Sequence, residues 1–188
     1  MRKLWIGILL LALAFGPAPA LAAGEIEGVR FPETLAVNDV ELELSCMGLM
    51  RYMVVLKGYV AALYREKNAA AGDVLADVPK RLEINYFWDI EGEAIGTAGD
   101  ELVVKNLSNE RLERLRPQLD QILSLYEDVK PGDRYALTYI PGRGTELALN
   151  GVVKGVIEGA DFANAYFSIW LGDDPMDRSL KKQLLSCS

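Results

Sequence analysis

Two cations, Arg51 and Lys57, stand in an otherwise apolar stretch from Met47 to Tyr64, with the phenol of Tyr59 two positions beyond the second. An arginine aimed into an apolar pocket can hold a carboxylate, phenolate or enolate through two parallel hydrogen bonds, and a neighbouring tyrosine can add a hydroxyl. The competing reading is that each cation pairs with a structural carboxylate or snorkels to an edge. Two aromatic groups, Tyr86-Phe87-Trp88 and Phe162, Tyr166, Trp170, either line an apolar ligand cavity or pack a core. The acidic residues Asp89, Glu91 and Glu93, and later Glu158 and Asp161, fit solvated positions at helix starts better than a catalytic base.

What the sequence lacks narrows the chemistry further. There is no histidine, which excludes Ser-His-Asp and Cys-His catalysis and every histidine-containing metal site. Cys46 and Cys187 lie too far apart in sequence to form a zinc-binding pattern. Neither a GxxxxGK[ST] loop nor a GxGxxG fingerprint is present. No cofactor and no metal are therefore expected, and any chemistry falls to Arg, Lys, Tyr, Asp, Glu or backbone groups in a shaped pocket.

These side chains need elements to position them. Short strands are predicted at Val29–Phe31, Thr34–Val37 and Val40–Leu44, with a turn at Asn38-Asp39. Met47–Tyr64 reads as one long central strand, apolar on both parities and so covered on both faces, with Gly58 marking a bulge or bend. In a regular strand Arg51, Lys57 and Tyr59 share a face, and the two cations lie roughly 20 Å apart, at about 3.3 Å per residue. A helical turn is predicted at Asp73–Asp77, a strand at Lys80–Trp88 and a helix at Glu91–Leu107. A further helical pattern is capped by Ser108 or Asn109 and kinked or split by Pro117. Strands over Arg134–Ile140, Thr145–Leu149 and Val152–Ile157 form a meander whose clearest turn is Asn150-Gly151. Helices over Gly159–Leu171 and Asp177–Leu185 complete an α+β chain with helices packed on an antiparallel sheet.

Met1-Arg2-Lys3 followed by the uncharged run Leu4–Phe15, then Gly16, Pro17, Pro19 and Ala20-Leu21-Ala22, has the order of a secretory signal peptide. Cleavage is expected after Ala22, with Ala23 as the alternative, leaving residues 23–188 as one domain, a monomer without a membrane span. No cysteine stands directly after the site to accept a lipid. The expected location is the periplasm, or the extracellular space. A net charge of −7, without a basic stripe, argues against nucleic acid as a partner. In an oxidising compartment Cys46 and Cys187 either pair as a disulfide or stay as two free thiols.

Several segments together resemble the bacterial exported chalcone isomerase-like family. They are Gly28-Val29-Arg30-Phe31-Pro32-Glu33-Thr34, the stretch from Gly48-Leu49-Met50-Arg51 to Leu63-Tyr64, Glu158-Gly159-Ala160-Asp161-Phe162, and Ile169-Trp170-Leu171-Gly172. The resemblance spans residues 25–186. It implies the chalcone isomerase fold, a large antiparallel sheet with a layer of helices and a ligand cleft between them. It also implies one of two activities: closure of chalcones to flavanones, or fatty acid binding. Arg51 matches the arginine that steadies negative charge in the enzymes. Tyr59 stands where those enzymes carry threonine, and Glu91–Leu102 contains neither the tyrosine nor the asparagine that complete their cleft.

The leading expectation is a non-catalytic domain that binds an apolar anionic molecule such as a fatty acid. Arg51 is expected to hold the head group with help from Tyr59 and Lys57, while Tyr86, Trp88, Phe162 and Tyr166 line the cavity. The alternative is an intramolecular lyase or isomerase using Arg51 and Tyr59 on a chalcone-like or enolisable substrate. A third reading is an interaction module with no small ligand.

Overall fold

The computed structural model describes residues 22–53, 55–67 and 74–186. The expected signal segment lies almost wholly outside the described residues. Cys187 lies outside them too.

A hairpin of β1 (Ala22–Ile26) and β2 (Val29–Pro32) precedes a seven-stranded antiparallel sheet. That sheet contains β3 (Thr34–Val37), β4 (Val40–Tyr52), β5 (Leu56–Arg65), β6 (Lys80–Tyr86), β7 (Arg134–Ile140), β8 (Gly144–Leu149) and β9 (Val152–Ile157). Its spatial order is its sequence order, so it is a pure meander. Helices α1 (Gly92–Asn106) and α2 (Asn109–Leu123) are inserted between β6 and β7, and α3 (Ala160–Leu171) and α4 (Arg178–Leu185) follow β9.

Local chemistry explains most of these boundaries. Asn38 and Asp39 take φ of 49° and 68°, and Asn150 and Gly151 take 51° and 79°, the left-handed pair that tight antiparallel hairpins require. The Ser108 hydroxyl accepts from the Arg111 amide and caps α2, and the Asp177 carboxylate accepts from the Leu180 amide and caps α4. Where β3 stops pairing, α4 covers β4. The Gln183 side-chain oxygen accepts from the Leu49 amide at 3.0 Å, and its nitrogen donates to the Leu49 carbonyl at 3.3 Å. An otherwise open sheet edge is thereby satisfied.

Three expectations are corrected. The stretch from Met47 to Tyr64 is not one strand but two, β4 and β5, folded back between Tyr52 and Leu56. The turn carries no glycine or asparagine to announce it, and Met53 itself adopts φ 49°. Pro117 neither kinks nor splits the helical pattern: α2 runs through it as one helix. Both Pro117 and Glu113, whose carbonyl loses its intrahelical donor, are exposed, so water can satisfy the freed group. The described residues after Asp73 form turns and bends rather than helix.

β5 is covered on both faces, as its apolar parities require, and Val60 through Tyr64 are fully buried. Ala61 and Leu63 face the helices, while Val60, Ala62 and Tyr64 pack with Phe31 and Leu42 beneath the β1–β2 hairpin. The helix layer centres on α3, which is buried along nearly its whole length. No helix among the described residues is long and apolar enough to cross a membrane.

Candidate functional site

Between β5–β7 and the helix layer lies a cavity of about 400 Å³. Its floor includes Tyr59, Ile84, Tyr86, Tyr135 and Leu137, and α3 supplies Tyr166, Ile169 and Trp170. The space exists because of α1. Where α2 sends Leu115, Leu119 and Ile122 into the core, α1 presents Ala94, Ala98 and Gly99. Gly99 has little freedom to grow, since a Cβ there would lie 3.1 Å from the Tyr166 hydroxyl. Tyr52, Leu56, Trp88 and Met176 line the cavity and are also exposed to solvent, which places the mouth beside the β4–β5 tip.

Among the described residues, no carboxylate, ammonium or guanidinium lines this cavity. Its polar groups are phenols and indoles, four of them paired with one another. The Tyr126 and Tyr166 hydroxyls meet at 2.7 Å. The Tyr59 hydroxyl accepts from the Trp170 indole at 3.1 Å and donates to the Met176 sulfur at 3.0 Å. The Tyr135 hydroxyl accepts from the Glu127 amide at 2.7 Å and donates to the Glu127 carbonyl at 3.1 Å. Rings in edge or tilted contact run from Tyr59 through Tyr86 and Tyr135 to Tyr126. Burial pushes the Tyr59, Tyr86, Tyr126 and Tyr166 phenols well above their ordinary range. They are neutral near pH 7 and offer hydrogen bonds rather than a general base.

Tyr59, Tyr86, Trp88 and Tyr166 come together at the cavity, whereas Arg51, Lys57 and Phe162 do not line it. Phe162 is fully buried and stacks on Tyr166 at 5.4 Å, one layer behind the wall. The displacement of the cations follows from strand parity. Met50 and Tyr52 face the cavity, so Arg51 between them faces away. On β5, Leu56 and Gly58 line the cavity and Lys57 faces away with Arg51. Tyr59 then lines it as well, because the pairing skips Gly58: Met50 is opposite Tyr59, and Arg51 is opposite Lys57. This is the bulge expected at Gly58.

A regular strand would have put Lys57 and Tyr59 on one face; the bulge separates them. The hairpin also makes Arg51 and Lys57 cross-strand neighbours, not groups roughly 20 Å apart along a straight strand. Both approach Glu27 in the β1–β2 turn, Lys57 at 2.5 Å and Arg51 at 3.7 Å, with their side chains about half exposed. Trp88 bridges the two environments by donating from its indole to the Lys57 carbonyl at 2.6 Å.

Tyr126, Tyr135 and the small residues of α1 were not singled out from the sequence. Ala94-Ile95-Gly96-Thr97-Ala98-Gly99 was their available signal, a helical segment with almost nothing large enough to fill a core. Cys46 is buried on β4 and is not a free thiol. No group of His, Cys, Asp or Glu among the described residues could hold a metal ion.

A seven-stranded antiparallel meander with a helix layer over an apolar cavity is an α+β architecture, and the sequence assigns the chain to a family within it. The profile of the chalcone isomerase-like family matches residues 23–186, and the chain belongs to that family. Its fold is shared by the crystal structure of a fatty-acid binding protein of Arabidopsis thaliana, with a TM-score of 0.63 at 17% identity. The alignment covers 84% of this chain and 92% of that one. Among curated proteins, no sequence match was found.

Proposed function

We propose that this chain is an exported, non-catalytic domain that holds one apolar molecule with a single anionic end, of the fatty acid class, between sheet and helices. The observation that carries this reading is the lining: a cavity of about 400 Å³ open at one end, with phenols and indoles but no ionised group among the described residues. That volume lies within the roughly 300–1,000 Å³ of ordinary small-ligand sites. An alkyl chain gains from every methylene it buries there. A carboxylate taken to the bottom would lose its water and meet no cation. The tail therefore lies inward, and the head group stays at the mouth near Tyr52 and Trp88. Arg51 and Lys57 do not touch it.

The same lining argues against the isomerase alternative, which needs a cation or a base beside the reacting atoms. The fatty-acid binding protein of similar fold supports the ligand class. Export rests on the cationic start, the apolar run and the Ala20-Leu21-Ala22 site, and the family match begins just beyond it.

Protein recovered from the exported fraction would be extracted with denaturing solvent and its small molecules identified by mass spectrometry. It would then be delipidated and titrated with fatty acids of graded length. The reading expects a mature N-terminus at Ala23, one saturable site, and an Arg51→Ala variant with affinity within about twofold of the parent. Saturable binding abolished by Arg51→Ala would refute the placement of the head group. Absence of any saturable binding would refute the ligand class.

A further inference from the structure

The β4–β5 tip is built against the usual chemistry of turns. Elsewhere the chain turns on Glu27-Gly28, Asn38-Asp39 and Asn150-Gly151, polar or glycine residues at left-handed backbone positions. Here the left-handed position is taken by Met53, which is 72% exposed, and Val55 two positions on is 74% exposed. The next register pair, Tyr52 and Leu56, is also exposed, as is Trp88 alongside. One residue further back, Arg51 and Lys57 form the following pair. From the tip inward the order is aliphatic, then aromatic and aliphatic, then two cations sharing one carboxylate, Glu27.

We propose that this tip docks into the surface of a phospholipid bilayer. Met53 and Val55 enter the acyl boundary, Tyr52 and Trp88 occupy the head-group level, and Arg51 and Lys57 meet the phosphates. Three observations fix the occupant. The sequence of side-chain types with depth matches the layering of a bilayer interface. Arg51 and Lys57 outnumber Glu27, the carboxylate they share, in a chain whose net charge is −7, so the charge complement of this pair is an anionic surface. The exposed patch is also continuous with the cavity, since Tyr52, Leu56 and Trp88 belong to both. Docking sets the mouth against the membrane, and an apolar ligand passes between lipid and cavity without crossing water. The docking geometry stands independently of which ligand the cavity takes.

The test is flotation of the mature protein with vesicles of equal parts phosphatidylcholine and phosphatidylglycerol. M53S/V55S, which alters no cavity-lining residue, and R51Q/K57Q serve as variants, with fatty acid affinity in vesicle-free solution measured on each. The parent should float, M53S/V55S should lose about tenfold in partition, and R51Q/K57Q should lose roughly fivefold on anionic vesicles and less on phosphatidylcholine alone. All three should keep the same solution affinity and melting temperature. A parent that stays with the soluble fraction overturns the proposal. So does a vesicle-free dimer of the parent that M53S/V55S abolishes, because the tip would then be buried against a second copy. A parent that floats but binds no fatty acid supports docking and overturns only the cavity reading.

Discussion

Filling the cavity separates ligand binding from folding more cleanly than emptying it does. Ile84 and Leu137 sit on adjacent strands of the floor, both nearly fully buried and both lining the space beneath α1. In an Ile84→Phe, Leu137→Phe double variant each ring grows into the cavity and takes the room of about one methylene of ligand. At about 0.8 kcal/mol per buried methylene, the excluded chain is worth about 1.6 kcal/mol, or roughly 15-fold in Kd. The rings themselves gain apolar burial, offset by about 1–3 kcal/mol if neighbours must shift, so stability should hold or rise slightly. Calorimetric titration with a long-chain fatty acid and a thermal melt of the same sample read the two effects together. An unchanged melting temperature with affinity lost for long chains and retained for chains about two carbons shorter is the expected pattern. Unchanged affinity for every chain length, with a melt that is unchanged or raised, would refute the placement of the ligand.

Three further outcomes follow from the same geometry. Tyr166→Phe leaves the buried Tyr126 hydroxyl without its 2.7 Å partner, and should cost about 1–3 kcal/mol in denaturant unfolding. Because burial raises the folded-state pKa of Tyr59, Tyr86, Tyr126 and Tyr166 above the ordinary 10.0, their contribution is complete below that pH and is lost as pH rises through it. Lys80 acts oppositely: burial lowers it from 10.5 to about 8, so its contribution grows with pH across that interval. Unfolding midpoints should therefore decline above pH 10, and Lys80→Met should flatten the rise that precedes the decline. A Cys46–Cys187 bridge, one of the two states open to these cysteines, predicts that, without reductant, alkylation of the denatured chain labels neither; two labels would remove the bridge.

Turns and caps were legible where a residue type has one structural use. Asn38-Asp39 and Asn150-Gly151 adopt the left-handed pair, and Ser108 caps its helix. The β4–β5 turn was illegible because Met53 and Val55 look like strand, and tertiary pairing overrode the absent turn signal. That error propagated into the site. Reading one regular strand put Arg51, Lys57 and Tyr59 on one surface, whereas a hairpin plus a bulge at Gly58 sends the cations out and the phenol in. Aromatic positions survived because β6 and α3 kept their expected periods, and Tyr86, Trp88 and Tyr166 reached the cavity. Tyr126 follows the end of α2 and Tyr135 begins the meander, so neither announced that it would meet the others.

The meander has a consequence for how the molecule opens. Every strand of the main sheet pairs with its neighbour in sequence, and the α1–α2 excursion joins β6 to β7 without separating them. Detaching α1 from the cavity therefore breaks no strand ladder; the sheet retains all its register while one wall departs. Gly92, Gly96 and Gly99 make that wall intrinsically weak, at about 1 kcal/mol of helix propensity each relative to alanine. Amide protons of α1 are therefore expected to exchange by a local event while those of β5 and β6 wait for global unfolding, which hydrogen exchange would read directly. The cavity can open on the timescale of one helix, in a molecule whose scaffold remains folded.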